Sequence, residues 1–158
     1  MTAYFLLKYL HVIGAAVLLG SGAAIAFFML RAHLTGDVGT VASVSRIVVV
    51  ADYLFTTTAV VLQPVTGIAL ATLRGYPLTD GWILLSLLLY AFVGGFWLPV
   101  VWMQVRMRDL ALEAVAAKAP LPRQYHRLFR WWFAFGCPAF AGVLAIFWLM
   151  IRRPVLNF

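Results

Sequence analysis

The stretch AYFLLKYLHVIGAAVLLGSGAAIAFFML, Ala3 to Leu30, decides the fold. It is apolar throughout except for Lys8, His11 and Ser21, and it is long enough to cross a ~30 Å hydrocarbon core at ~1.5 Å per residue. A run of this length is too long for the apolar region of a signal peptide, so it reads as a retained span. Three similar runs follow. The spans are expected at about 4–30, 45–73, 82–102 and 129–151, in one membrane domain covering 1–158. A backbone exposed to lipid must satisfy its own hydrogen bonds, so the spans are helices. The expected fold is all-α, a four-helix transmembrane bundle.

Composition agrees. The chain has 158 residues, 65 % hydrophobic and 11 % charged, against about 25 % charged in soluble domains. The net charge of +7 sits mostly outside the spans, where it meets lipid headgroups. It is not read as a nucleic-acid footprint. Cys137 is the single cysteine, which excludes an internal disulfide and a cysteine metal cluster.

Lys and Arg set the expected orientation. The side with both termini and the second loop carries Lys8, Arg74, Arg152 and Arg153, four in all; the opposite side carries eight. The positive-inside rule places the first and third loops in the cytoplasm and both termini outside. Tyr4, Tyr76, Trp82 and Trp148 are assigned to the outer aromatic belt, and Trp102, Tyr125, Trp131 and Trp132 to the inner one. The third span is expected to continue as a polar helix to Lys118, stopped by Pro120 and Pro122.

His11 is the most informative polar residue. An ionisable group within a span is a functional-site hypothesis by default. Counted from the outer end, it lies ~10 Å deep, with Thr66, Gln63 and Tyr90 at similar depth. Trp148 and Ile146 are expected nearby. Imidazole is a usual axial ligand of haem iron. Haem b is therefore one reading, with His11 as the metal ligand, Gly14 opening room for a flat ring, and Lys8, Arg74, Arg152 and Arg153 at the rim to meet its propionates. A second axial ligand would come from Met150, Lys8, water or His11 of another copy. The ordinary alternative is a neutral histidine bonded to a neighbouring hydroxyl such as that of Thr66. His33 and His126 lie at the other end of their helices, ~20 Å away. They read as interfacial residues or as a second, weaker metal site.

Other features carry weaker readings. Pro64 should kink the second span. The Gln63-Pro64 break resembles the discontinuous helices of transporters, so a non-enzymatic membrane module or small-solute transporter is the alternative function. Asp52 is expected to pair with Arg31 or Arg46. Ala16, Gly20 and Ala24 form a small-residue row suited to a close helix contact, in a homo-oligomer or with a partner membrane protein. Met103 and Met107 are read as packing residues, with Cu(I) ligation as the lesser alternative. No hydrolytic constellation is present.

Several segments together resemble an uncharacterised bacterial family of four-helix inner-membrane proteins. They are Leu7 to Gly14, Gln63-Pro64-Val65-Thr66-Gly67, Trp97 to Gln104 with Arg106-Met107-Arg108, and Trp148-Leu149-Met150 before Arg153-Pro154. The resemblance implies membrane location and fold, and almost nothing about activity. The pattern from Lys8 to Gly14 is also similar to the first helix of HemJ-type and CopD-like membrane proteins. In the HemJ-type group that histidine is associated with haem. The resemblance carries over His11 and Lys8; the rest of the HemJ pattern has no match, so oxidase activity is not implied.

Overall fold

The computed structural model describes residues 2–156. Four long helices make up the fold: α1 Thr2–Thr35, α2 Val38–Leu73, α3 Gly81–Ala116 and α4 Arg123–Arg152. Each is long and apolar enough to cross a membrane. All extend past the sequence-expected spans, because the flanking polar residues continue the helix beyond the hydrocarbon. Helix α3 is a single helix of 36 residues, ~54 Å at the α-helical rise.

The connections are short and chemically specified. Only Gly36 and Asp37 separate α1 from α2. Asp37 caps α2 by accepting the Thr40 N–H at 2.7 Å, which satisfies one of the free donors at a helix start. The Thr40 hydrogen bonds hold its carboxyl below the usual range. At the end of α2, Gly75 takes φ +71°. Its N–H bonds the Thr72 carbonyl at 3.1 Å, and the Tyr76 N–H bonds Ala71 at 3.0 Å. This is a Schellman stop, and it needs the left-handed conformation glycine adopts freely. Helix α3 ends two residues earlier than expected, with Lys118 in the left-handed region.

Helix α2 contains one wide π turn, Asp52–Thr56. The Thr57 N–H returns to the Asp52 carbonyl, and the Thr57 hydroxyl bonds the same oxygen at 3.1 Å. The turn keeps Asp52 and Thr56 on the buried face with Ser45, Val48 and Val49. Asp52 therefore does not pair with Arg31 or Arg46, which are exposed. The one ion pair among the described residues is Arg108–Asp109, at 2.7 Å.

Packing is uneven. Around the 36–37 and 117–122 loops, α1, α2, α3 and α4 share a core that includes Met29, Val41, Met103, Met107, Tyr125 and Phe129. Met103 and Met107 are core residues, as the packing reading holds. Tyr125 and Trp132 belong to this core too, not to the inner aromatic belt, because α3 and α4 stay packed together there. Towards the termini the helices separate into two pairs. Residues 57–73 of α2 pack on α1, α3 packs on α4, and contact between the pairs is sparse.

Candidate functional site

The gap between the helix pairs is a cavity of about 1060 Å³. This is at the upper end of the ~300–1,000 Å³ of ligand pockets. Small side chains leave it open: Ala15, Gly22, Ala23, Gly94, Gly136 and Ala139 lie on its wall. His11 is on the wall, half-buried.

The His11 ring is held by α2. Its Nδ1 lies 2.8 Å from the Thr66 hydroxyl. Thr66 has one proton to give, and at 2.7 Å it gives it to the Leu62 carbonyl. The hydroxyl is thus an acceptor toward the ring, and Nδ1 carries the hydrogen. Nε2 makes no hydrogen bond among the described residues, so with the hydrogen on Nδ1 its lone pair is open to a ligand. Gly67 lies against the ring: a Cβ there would sit 3.2 Å from Cε1.

The neighbouring polar groups brace this arrangement. Gln63 Nε2 donates to the His11 carbonyl at 2.9 Å. Gly14 allows it, since a Cβ at Gly14 would lie 2.6 Å from that nitrogen. Gly14 therefore seats Gln63, and it is not on the cavity wall. The expectation that it opens room for a flat ligand is corrected: the amide takes that space. Pro64 has no N–H to offer the carbonyl four residues earlier, that of Val60. The Tyr90 hydroxyl of α3 donates to that carbonyl instead. The groups at the proline break are thus spent on neighbouring helices.

The mouth of the cavity near the termini is cationic. Lys8, Arg74 and Arg153 line it. The Arg74 guanidinium sits 4.7 Å from the Tyr4 ring centroid, and that of Arg153 sits 5.8 Å from that of Trp82, within cation–π range. Arg152 is exposed and off the cavity wall. Of the two arginines expected at the rim, Arg153 reaches it, where the chain leaves the helix with φ +43°. Trp148 is also exposed and outside the cavity, whereas Ile146 lines it.

Thus the structure gathers His11, Thr66, Gln63 and Tyr90 at one level, with Lys8 and Arg74 above them. Gly67 was missed; its place one residue after Thr66, on the helix facing His11, was the available signal. The residues fit an axially ligated planar group in three respects: a free imidazole nitrogen, an apolar cavity and a basic rim. Among the described residues no group of three or more His, Cys, Asp or Glu could hold a bare metal ion. His33 is not a hydrated surface residue. Its ring stacks on Phe129 at 3.7 Å and meets His126 edge-on at 5.6 Å. The row Ala16, Gly20 and Ala24 is exposed, and a Cβ at Gly20 would meet nothing within 4 Å.

No curated protein and no solved structure matches this chain, so the first-helix likeness to HemJ- and CopD-like proteins finds no counterpart among them. The family described as "Predicted integral membrane protein (DUF2269)" matches residues 5–154. With that match over nearly its whole length and four helices able to span a bilayer, the chain belongs to this family of integral membrane proteins.

Proposed function

We propose that the cavity seats haem b, with His11 Nε2 as an axial ligand, for redox chemistry or haem handling in a bacterial inner membrane. One observation carries the reading. Thr66 holds Nδ1 while Nε2 is left without a protein partner, beside a large apolar cavity. A ligating histidine is usually fixed this way, by a hydrogen bond at its other nitrogen. Bound haem would supply a one-electron centre. The chain's own residues orient the imidazole, exclude water with apolar walls and offer Lys8, Arg74 and Arg153 to the propionates. Met150, also on the cavity wall, would be a candidate second ligand. The charge bias supports an outer position for this mouth. The exposed row of Ala16, Gly20 and Ala24 is the surface through which a second copy or partner helix would dock.

The transporter reading has less support. Gln63 Nε2 and the Val60 carbonyl are both engaged within the bundle. They are not displayed to a passing solute.

The test is an absorption spectrum of the purified, haem-supplied protein. A Soret band is expected, lost in His11→Ala. Thr66→Val should keep the band but weaken haem affinity about 10–100-fold, as for other groups that orient a ligand. Protein that stays colourless after haem supply contradicts the proposal.

A further inference from the structure

The far end of the same cavity holds polar groups that the His11 site does not use. Both amide atoms of Gln104 and Trp132 Nε1 are buried and lack a hydrogen-bond partner among the described residues, while the Asp52 carboxyl faces the Trp97 indole N–H and the Thr56 hydroxyl, with Asp52 Oδ2 and Trp97 Nε1 making no bond of ordinary geometry. Asp52 is 4 % exposed, Gln104 2 % and Trp132 4 %. All four side chains line the cavity. They come from α2, α3 and α4, so no single helix accounts for them. Beside them, the Ser21 and Thr56 hydroxyls bond across α1 and α2 at 3.0 Å. Ser21 follows His11 by ten residues on α1, which puts this cluster roughly 15 Å from the imidazole.

Buried polar groups in proteins are almost always bonded, and in a bilayer no bulk water stands in. Several orphans converging on one void mark a place where something else makes the bonds. The π turn that presents Asp52 and Thr56 is a deformation often found at functional sites.

The chemistry of the orphans narrows the occupant. Trp132 offers an indole N–H, and Gln104 offers an amide N–H. Asp52 and the Gln104 amide oxygen accept. A cation fits poorly, since it cannot accept from the N–H donors of Trp132 and Gln104 and must pass Lys8, Arg74 and Arg153 at the mouth. The apolar walls and the gap between helix pairs favour a neutral molecule arriving from lipid. We propose that this end of the cavity is a second site, binding the oxygenated ring of a lipid-soluble quinone or quinol. The ring oxygens accept from Trp132 and Gln104, while Trp97 steadies the Asp52 carboxyl. A quinol hydroxyl also donates to Asp52. The site is independent of His11.

The experiment is calorimetric titration of the full chain in nanodiscs with decylubiquinone, and separately with its quinol, with empty discs subtracted. Saturable binding is expected. Gln104→Leu and Trp132→Phe should each weaken it by about tenfold or more, as when a buried hydrogen bond is lost. Asp52→Asn should weaken the quinol more than the quinone. His11→Ala should leave both affinities unchanged, which separates this site from the haem proposal. Heat no greater than that of empty discs overturns the inference. So does unaltered affinity in Gln104→Leu and Trp132→Phe, or equal loss in His11→Ala.

Discussion

The two ends of this bundle are packed in opposite ways. Near the 36–37 and 117–122 loops, large side chains from all four helices interlock: Met29, Met107, Tyr125, Phe129 and Trp132 are buried there. Near the termini, glycine and alanine face each other across a void of about 1060 Å³. The difference is one of side-chain volume. Helices in lipid gain little from hydrophobicity and associate through van der Waals contact and interhelical hydrogen bonds. The solid end has the contacts. The hollow end relies on bridges: His11 to Thr66, Gln63 to the His11 carbonyl, and Tyr90 to the Val60 carbonyl.

This contrast can be broken most directly by truncation. Met107 is fully buried, at 0 % exposure, and Met107→Ala should cost about 2–5 kcal/mol in detergent denaturation. Ile146 lines the existing void, so Ile146→Ala should cost about 1 kcal/mol or less, because it creates no new cavity. Similar losses at both sites would erase the distinction.

The bridges come next. Tyr90→Phe leaves the Val60 carbonyl without a donor and should destabilise by about 1–3 kcal/mol. Pro64→Ala restores the missing N–H, so the same tyrosine change should cost much less in that background. A double-mutant cycle measures the coupling. Additive losses would mean the tyrosine hydroxyl does not serve the proline break.

Glycines sharpen the comparison within α4. A Cβ at Gly142 would lie 2.5 Å from Val93 Cγ2. Valine is stiff at χ1, so α3 must move, and Gly142→Ala should cost about 1–3 kcal/mol. At Gly136 a Cβ meets nothing within 4 Å. Gly136→Ala should be neutral or gain up to about 1 kcal/mol from helix propensity. Thermal midpoints of the two variants separate close packing from open wall.

The four helices were legible because hydropathy and length suffice for a span. The level shared by His11, Thr66, Gln63 and Tyr90 was legible because depth follows from counting along straight helices. Rotation was not. Arg152 and Arg153 are adjacent, and only the left-handed turn at Arg153 decides which one reaches the rim. Gly14 looked like space for a ligand because a sequence does not show that an amide from another helix fills it. Asp52 was assigned to surface arginines because nothing local announces a π turn. Trp132 and Tyr125 resembled belt residues because burial towards the loop end depends on how far α3 and α4 stay paired.

The smallest effect belongs to the solid end's short connection. The Asp37 carboxyl is held below its ordinary value, first by the Thr40 hydroxyl and then by the Thr40 N–H. A carboxyl lowered in the folded state adds stability above its unfolded pKa of about 3.9 and loses it as pH falls through the lower folded value. Asp37 is fully exposed, so water screens the contribution and it stays small. Asp37→Asn keeps an oxygen for the Thr40 N–H but has no proton to bind. Its thermal midpoint, compared with that of the parent chain, should therefore differ by a constant amount above pH ~5, and the gap should change only below pH ~4. A pH-dependent gap near neutrality would assign the effect to another group. No gap at any pH would mean that the amide caps α2 as well as the carboxylate does.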